Sequence, residues 1–234
     1  MSSLSSSSTA LATSSAEGSA SSTISEPYRI LLDVSIAKSR KVRGGNYVQL
    51  ATVTSKGLPK CRTIVQRGLF SHQGQSVLKF ITDHRSQKVT QIQHSPKGEL
   101  VWWFLKSSEQ YRIGGELTLV GNDSNDKALL AVRKQTWGQL RDTAREQFYW
   151  PQPGVPLDED KDNEVKLENQ DGGGNDGSIP TGGRGEDGKV LPPPDTFLLM
   201  LLWPETVDYL RLSDNARVTF EREDSSWKQQ SVSP

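Results

Sequence analysis

The densest set of anion-binding groups lies in Phe80-Ile81-Thr82-Asp83-His84-Arg85-Ser86-Gln87-Lys88. An apolar run typical of a strand passes there into a helical segment whose first turn carries Ser86, Gln87 and Lys88. The first N–H groups of a helix have no partner within it, and its dipole is positive at that end, so an anion is favoured there. Ser86 serves equally as helix cap or phosphate ligand, and Lys88 adds a full charge. The same residues also describe a plain capped helix on the surface, and spacing alone leaves both readings open. A second basic element is Arg62-Thr63-Ile64-Val65-Gln66-Arg67. An arginine fork matches phosphate bidentately, and it equally suits a salt bridge at a sheet rim. Residues five apart in a strand point to opposite faces, so Arg62 and Arg67 share a site only if a bulge intervenes.

Other chemistries find little support. His72, His84 and His94 fall in turns or helix ends without metal-ligand spacing, and no metal site is expected. The run Asp158, Glu159, Asp160, Asp162 and Glu164 lacks the ordered oxygen pattern of a calcium loop and reads as a solvated charge run. No G-x-G-x-x-G follows a strand, and neither a P-loop nor a nucleophile elbow occurs. Cys61 is the single cysteine, so no intramolecular disulfide can form. With 28 basic and 28 acidic side chains the formal charge is zero, and there is no basic stripe for a nucleic acid. The longest apolar run, Phe197 to Trp203, is far shorter than a membrane span.

These candidates must be held by a core smaller than the chain. Mean hydropathy is −0.59, and the apolar residues concentrate in 28–157 and 191–220. Residues 1–25 are mostly Ser, Ala and Thr, too polar to offset the entropy of ordering. They read as a disordered tail in a cytoplasmic protein or as a plastid or mitochondrial transit peptide, although they contain no Lys or Arg. Residues 158–190 turn from acidic to Gly-rich and are expected to be a disordered insertion in one domain formed by 26–157 and 191–234. The pattern predicts a helix over 28–40 and strands over 47–54, 60–70, 77–82, 98–106, 110–120, 197–202, 206–212 and 218–221. A last strand is expected over 227–232, and further helices over 86–94, 126–138 and 141–148. Many strands, short turns and a few helices indicate a mainly β barrel with flanking helices.

Several ordered strings share one resemblance. They are Tyr47 to Val53, Arg62-Thr-Ile-Val, Gly68-Leu-Phe, Phe80 to Lys88, Glu109 to Leu119, Phe148-Tyr-Trp-Pro-Gln-Pro-Gly154, and Pro193 to Pro234 through Val207-Asp-Tyr-Leu, Arg217 and Trp227. Together they resemble the FMN-binding domain of pyridoxamine 5′-phosphate oxidase-like proteins, closest to a subfamily with Arg-Ser-Gln-Lys and Trp-Pro-x-Pro-Gly strings. The resemblance implies an FMN-binding split β-barrel, a homodimer with two flavins at its interface, and flavin-dependent oxidoreductase chemistry on an unnamed small molecule. It places Arg62 and Lys88 at the FMN phosphate, beside Ser86 as the local reading has it, Thr63, Val65, Gln66 and Arg67 along the flavin ring, and Thr82 at the flavin from its strand end. Gln110 would reach a flavin in the dimer interface, and Arg217 resembles a late arginine near the ring. Gln87 stands where the oxidases have arginine. Their C-terminal Arg-x-His substrate pair is matched only by Arg211-Leu212-Ser213, which puts pyridoxamine phosphate in question as substrate. The alternatives are a non-catalytic flavin- or haem-binding module and a true pyridoxamine/pyridoxine phosphate oxidase with a remodelled site.

Overall fold

Alternate residues from Glu109 to Val120 are buried, as a strand with one face on a core requires. This strand sits near the middle of a barrel. The computed structural model describes residues 26–156, 180–224 and 226–234. In chain order the elements are α1 (Pro27–Ser39), β1 (Tyr47–Val53), β2 (Pro59–Val65), β3 (Leu69–His72), β4 (Gln75–Asp83), α2 (Gln87–His94), β5 (Lys97–Phe104), β6 (Glu109–Val120), α3 (Lys127–Gly138), α4 (Asp142–Glu146), β7 (Phe197–Arg211), β8 (Ala216–Glu223) and β9 (Ser226–Val232). The mainly β architecture with flanking helices agrees with the sequence. No described helix is long and apolar enough to cross a membrane.

Strands run in the order β2-β1-β5-β6-β7-β4-β3, all pairs antiparallel, with β8 and β9 continuing from β7. The inward residues Val48, Leu50, Leu78, Phe80, Leu100, Trp102, Phe104, Ile113 and Met200 form the main core, into which α1 inserts Tyr28 and Leu32. A second cluster lies beneath α3, and a third joins Trp137, Leu140, Phe148 and Phe197.

The expected strand over 60–70 is in fact two strands. The chain breaks at Gln66-Arg67-Gly68, where Gly68 has φ of 114°, a backbone region closed to residues with a side chain. There the Arg67 N–H donates to the Lys79 carbonyl at 2.8 Å and the Lys79 N–H to the Gly68 carbonyl at 2.9 Å. Two residues thus oppose one, as in a bulge. This hook ties the end of β2 to β4 and closes the barrel at a single point. Elsewhere β2 is paired only to β1, which leaves a seam between β2 and β4.

The two strands expected over 197–202 and 206–212 are instead one. β7 runs 15 residues through Pro204. A register shift at Gly114/Gly115 of β6 accommodates the proline, which has no N–H to give. Part of the segment expected to be a disordered insertion is packed. Residues 1–25 and 158–179 lie outside the described residues, but 180–190 are packed. The Arg145 Nε donates to the Gly182 carbonyl at 2.7 Å, the Gly182 N–H to Glu146 Oε1 at 2.7 Å, and the Trp137 indole to the Leu191 carbonyl at 2.7 Å. The glycines seen as a sign of disorder are used instead for positive φ, at 66° for Gly182 and 63° for Gly183, where the chain presses against α4.

One buried carboxylate fastens α1 to the barrel. Glu109 accepts from Ser35 and Ser107 at 2.6 Å each and from the Tyr209 hydroxyl at 3.0 Å. Burial pushes its pKa up, but the hydrogen bonds from Ser107, Ser35 and Tyr209 and the charge of Lys38 outweigh that and hold it below the ordinary carboxylate range. A lowered folded-state pKa means that the stabilisation is complete above the unfolded value of about 4.3 and is lost as pH falls through the folded value. Glu109→Gln is therefore expected to cost about 1.5–3 kcal/mol at pH 7. Urea titrations at a series of pH values should show the gap to wild type narrowing below pH ~4 as the wild-type carboxyl protonates.

Candidate functional site

Arg62 lies midway along β2 on the seam and faces inward with its cross-strand partner Leu50. Its guanidinium donates to the Leu50 carbonyl at 3.1 Å, to Thr52 Oγ1 at 2.6 Å and to Gln91 Oε1 at 2.9 Å. Thr52 also donates to Gln91 Oε1, at 2.6 Å. Arginine has five N–H donors, so donors remain for a ligand while the fork is held on three sides. On the other bank of the seam, β4 ends at Thr82 and Asp83, and α2 begins after Ser86. The Lys88 ammonium reaches Thr82 Oγ1 and Ser86 Oγ, both at 3.1 Å. Ser86 is the N-cap residue of α2 with extended backbone, yet its side chain caps nothing. The Val89 N–H donates to the Ser86 carbonyl at 2.9 Å, and the N–H groups of Gln87 and Lys88 are left for another acceptor.

The electrostatics point the same way. Burial lowers the Lys88 pKa, the charge of Arg62 lowers it further, and Asp83 opposes part of this. Burial also lowers that of Arg62. Neither cation joins an ion pair among the described residues. Two desolvated, mutually repelling cations beside a free helix N-terminus are costly unless an anion sits between them. The arrangement suits a dianionic phosphate.

The structure therefore brings Arg62, Thr82, Ser86 and Lys88 together. Gln87 projects its side chain to solvent. Gln66 and Arg67 stand at the hook, further along the seam, and Gln66 Nε2 and Arg67 Nε are buried without a hydrogen-bond partner. Burial lowers the Arg67 pKa, and Tyr47 acts against that. Thr63 and Val65 share the outer face of the sheet with Gln49 and Tyr47. Gln110 is on the outer face of β6 opposite Trp103, and Arg217 on β8 is paired to Asp208 through both carboxylate oxygens, at 3.0 and 2.8 Å. Both lie on the outer face of the sheet, whereas Arg62 faces inward, so a single chain does not bring them to it. Gln91 and Thr52 escaped the sequence reading. The signal for Gln91 was present: it stands three residues after Lys88, on the same face of α2.

A barrel hooked shut at one point along an open seam is a split barrel. Residues 25–121 match the family described as pyridoxamine 5′-phosphate oxidase, FMN-binding domain. Pyridoxine/pyridoxamine 5′-phosphate oxidase 2 of Arabidopsis thaliana is 30% identical over 214 residues, covering 89% of this chain and 97% of the relative. The crystal structure of a pyridoxamine 5′-phosphate oxidase-related FMN-binding protein of Nostoc punctiforme superposes with a TM-score of 0.73 at 33% identity, covering 89% of this chain and 98% of that one. PhzG of Burkholderia lata, solved with tetrahydrophenazine-1-carboxylic acid, shares the fold with a TM-score of 0.65 at 18% identity, covering 88% and 92% of the two chains. The chain belongs to the pyridoxamine 5′-phosphate oxidase-like family of FMN-binding split barrels.

Proposed function

We propose that this protein is an FMN-dependent oxidoreductase whose flavin phosphate sits between Arg62 and Lys88. The observation that carries the proposal is the pair of desolvated cations facing the free N-terminus of α2, with no carboxylate bonded to either. Thr82 and Ser86 complete the phosphate cradle. The unpartnered donors of Gln66 and Arg67 would face the flavin ring further along the seam. FMN would supply the hydride and electron chemistry, and the chain binds, orients and shields it. Protein purified without added cofactor is expected to be yellow and to release FMN, identified by mass, on denaturation. Colourless protein that takes up no FMN, or a Soret band without flavin, would sink the proposal.

We further infer a homodimer. The outer face of β2, β1, β5, β6, β7 and β8 carries Thr63, Val65, Gln110 and Arg217, and Tyr47 and Trp103 on it are 49% and 38% exposed. A second copy against this face would bring its Gln110 and Arg217 towards the seam of the first. Trp103→Glu is expected to leave the fold intact but shift the protein to monomer in sedimentation, with loss of bound flavin. Retention of a flavin-loaded dimer would refute this interface.

The substrate reading follows from two observations. The Arabidopsis relative, named for pyridoxine and pyridoxamine phosphate, aligns over nearly its whole length. Against that, Arg211 donates to both oxygens of Asp214, at 2.9 and 2.7 Å, which occupies its fork within the β7–β8 turn. A true pyridoxamine phosphate oxidase therefore stands as the second reading, decided by whether the FMN-loaded protein turns over pyridoxamine 5′-phosphate with oxygen.

A further inference from the structure

We infer that Arg85 is a positioning residue of the anion cradle: it holds the Asp83 carboxylate away from Lys88 and so keeps that ammonium for the phosphate. The inference rests on the flavin reading above and adds to it an internal anion that competes for the same cation.

Asp83 ends β4 beside Thr82, whose hydroxyl accepts from the Lys88 ammonium at 3.1 Å. The Asp83 side chain is only 11% exposed. A carboxylate so far out of water needs a cation or several donors. Two cations are at hand. One is Lys88, on which the charge of Asp83 already acts. The other is Arg85, and the structure gives Asp83 to Arg85. The Arg85 backbone N–H and Nε donate to Asp83 Oδ1 at 2.8 and 3.0 Å, and Nη2 donates to Oδ2 at 2.6 Å. The hydrogen bond to Asp83 holds the Arg85 pKa above its ordinary value, against a lowering by burial. The last arm, Nη1, donates to the Trp150 carbonyl at 2.9 Å, so the fork is fixed on two sides. No hydrogen bond or ion pair joins Asp83 to Lys88 among the described residues.

The backbone of the strand-to-helix turn is held without this side chain. Asp83 stands opposite Phe197 in the β4–β7 ladder, the His84 N–H donates to the Thr196 carbonyl at 2.9 Å, and the Ser86 N–H donates to the Asp83 carbonyl at 3.1 Å. With the turn so fixed, loss of the Arg85 fork would strand a buried carboxylate beside the cradle. The Lys88 ammonium has only two hydroxyls as partners, and pairing with Asp83 would relieve both groups at once. A phosphate would then have to displace an internal anion before it could bind. A pair formed about nine-tenths of the time leaves about one-tenth of the molecules competent and weakens the ligand roughly tenfold. Arg85 is consumed by Asp83, and Gln87 is uncharged and exposed. Lys88 therefore carries the charge that the start of α2 offers to a ligand, and Arg85 protects its availability.

The test titrates FMN into the full-length protein freed of flavin and follows flavin fluorescence. Arg85→Ala is expected to raise the Kd for FMN about tenfold. Adding Asp83→Asn to Arg85→Ala removes the competing anion and should bring the Kd back to within about threefold of wild type. In a Lys88→Met background, Arg85→Ala should add less than about a further twofold, because the cation it protects is gone. Where Arg85→Ala does not fold, Arg85→Gln takes its place in both comparisons. A loss that Asp83→Asn does not recover, or one of equal size with and without Lys88, would mean that Arg85 acts only by holding the chain at Trp150, and would overturn the inference. So would a Kd for the Arg85 variant within about twofold of wild type. A wild-type protein that binds no FMN would instead overturn the flavin reading, and this inference with it.

Discussion

Arg62→Ala and Lys88→Met are each expected to weaken FMN binding by about 1.5–3 kcal/mol, or roughly ten- to a hundredfold in Kd, the usual loss for a charged hydrogen bond. The apoprotein should respond differently. Lys88 is desolvated beside Arg62 and has only two hydroxyls as partners. Replacing it with an apolar chain of similar length is therefore expected to leave the apoprotein as stable as wild type or more so. Flavin-loaded protein should lose stability on the same change. Thermal unfolding with and without FMN reads both signs on one sample. Equal destabilisation with and without FMN would mark Lys88 as a structural residue. FMN affinity unchanged from wild type in both variants would show that the phosphate lies elsewhere. Double substitution should cost less than the sum, because removing one cation relieves the other.

Gly115→Ala is expected to be the most disruptive single-methyl change in the barrel, costing at least about 3 kcal/mol, the upper end of overpacking. A Cβ there would lie 1.9 Å from the Trp203 carbonyl oxygen and 2.9 Å from its carbon. Both are backbone atoms of β7, so no rotamer change relieves the clash. The glycine stands at the register shift that lets Pro204 pass through the longest pairing in the sheet. Gly98→Ala is a useful control. Its nearest obstacle, at 2.5 Å, is a methyl of Leu117, which can rotate. Urea unfolding of both variants should separate them by more than 1 kcal/mol, and similar costs would show that β7 shifts easily.

Most of the fold could be read from the chain because strand and helix periods are local. The alternation in Gln110 to Val120 and the strand-to-helix passage at Thr82 to Lys88 carry their own signal. What escaped was set by tertiary pairing. Pro204 reads as a strand breaker until the extra residue opposite Gly114 and Gly115 is known. The run 60–70 reads as one strand because the hook at Gly68 depends on Lys79, eleven residues away. The segment 180–190 has the composition of a linker, and its order comes from Arg145, whose burial no local pattern announces. The candidate site followed the same division. Arg62, Ser86 and Lys88 were legible by type, and only the chain-wide resemblance raised them above a capped helix and a rim arginine. Gln91 and Arg85 gain their roles solely from what folds against them.

The single hook between β2 and β4 has a consequence for the life of the protein. With so few backbone bonds across that seam, the amides of β2 should be among the first in the barrel to exchange with solvent. A phosphate bridging Arg62 and Lys88 would stitch the two banks, so the frequency of opening would depend on flavin supply and fall as FMN rises above its Kd. Proteolysis within β2 would slow in the same proportion as such a phosphate fills the cradle.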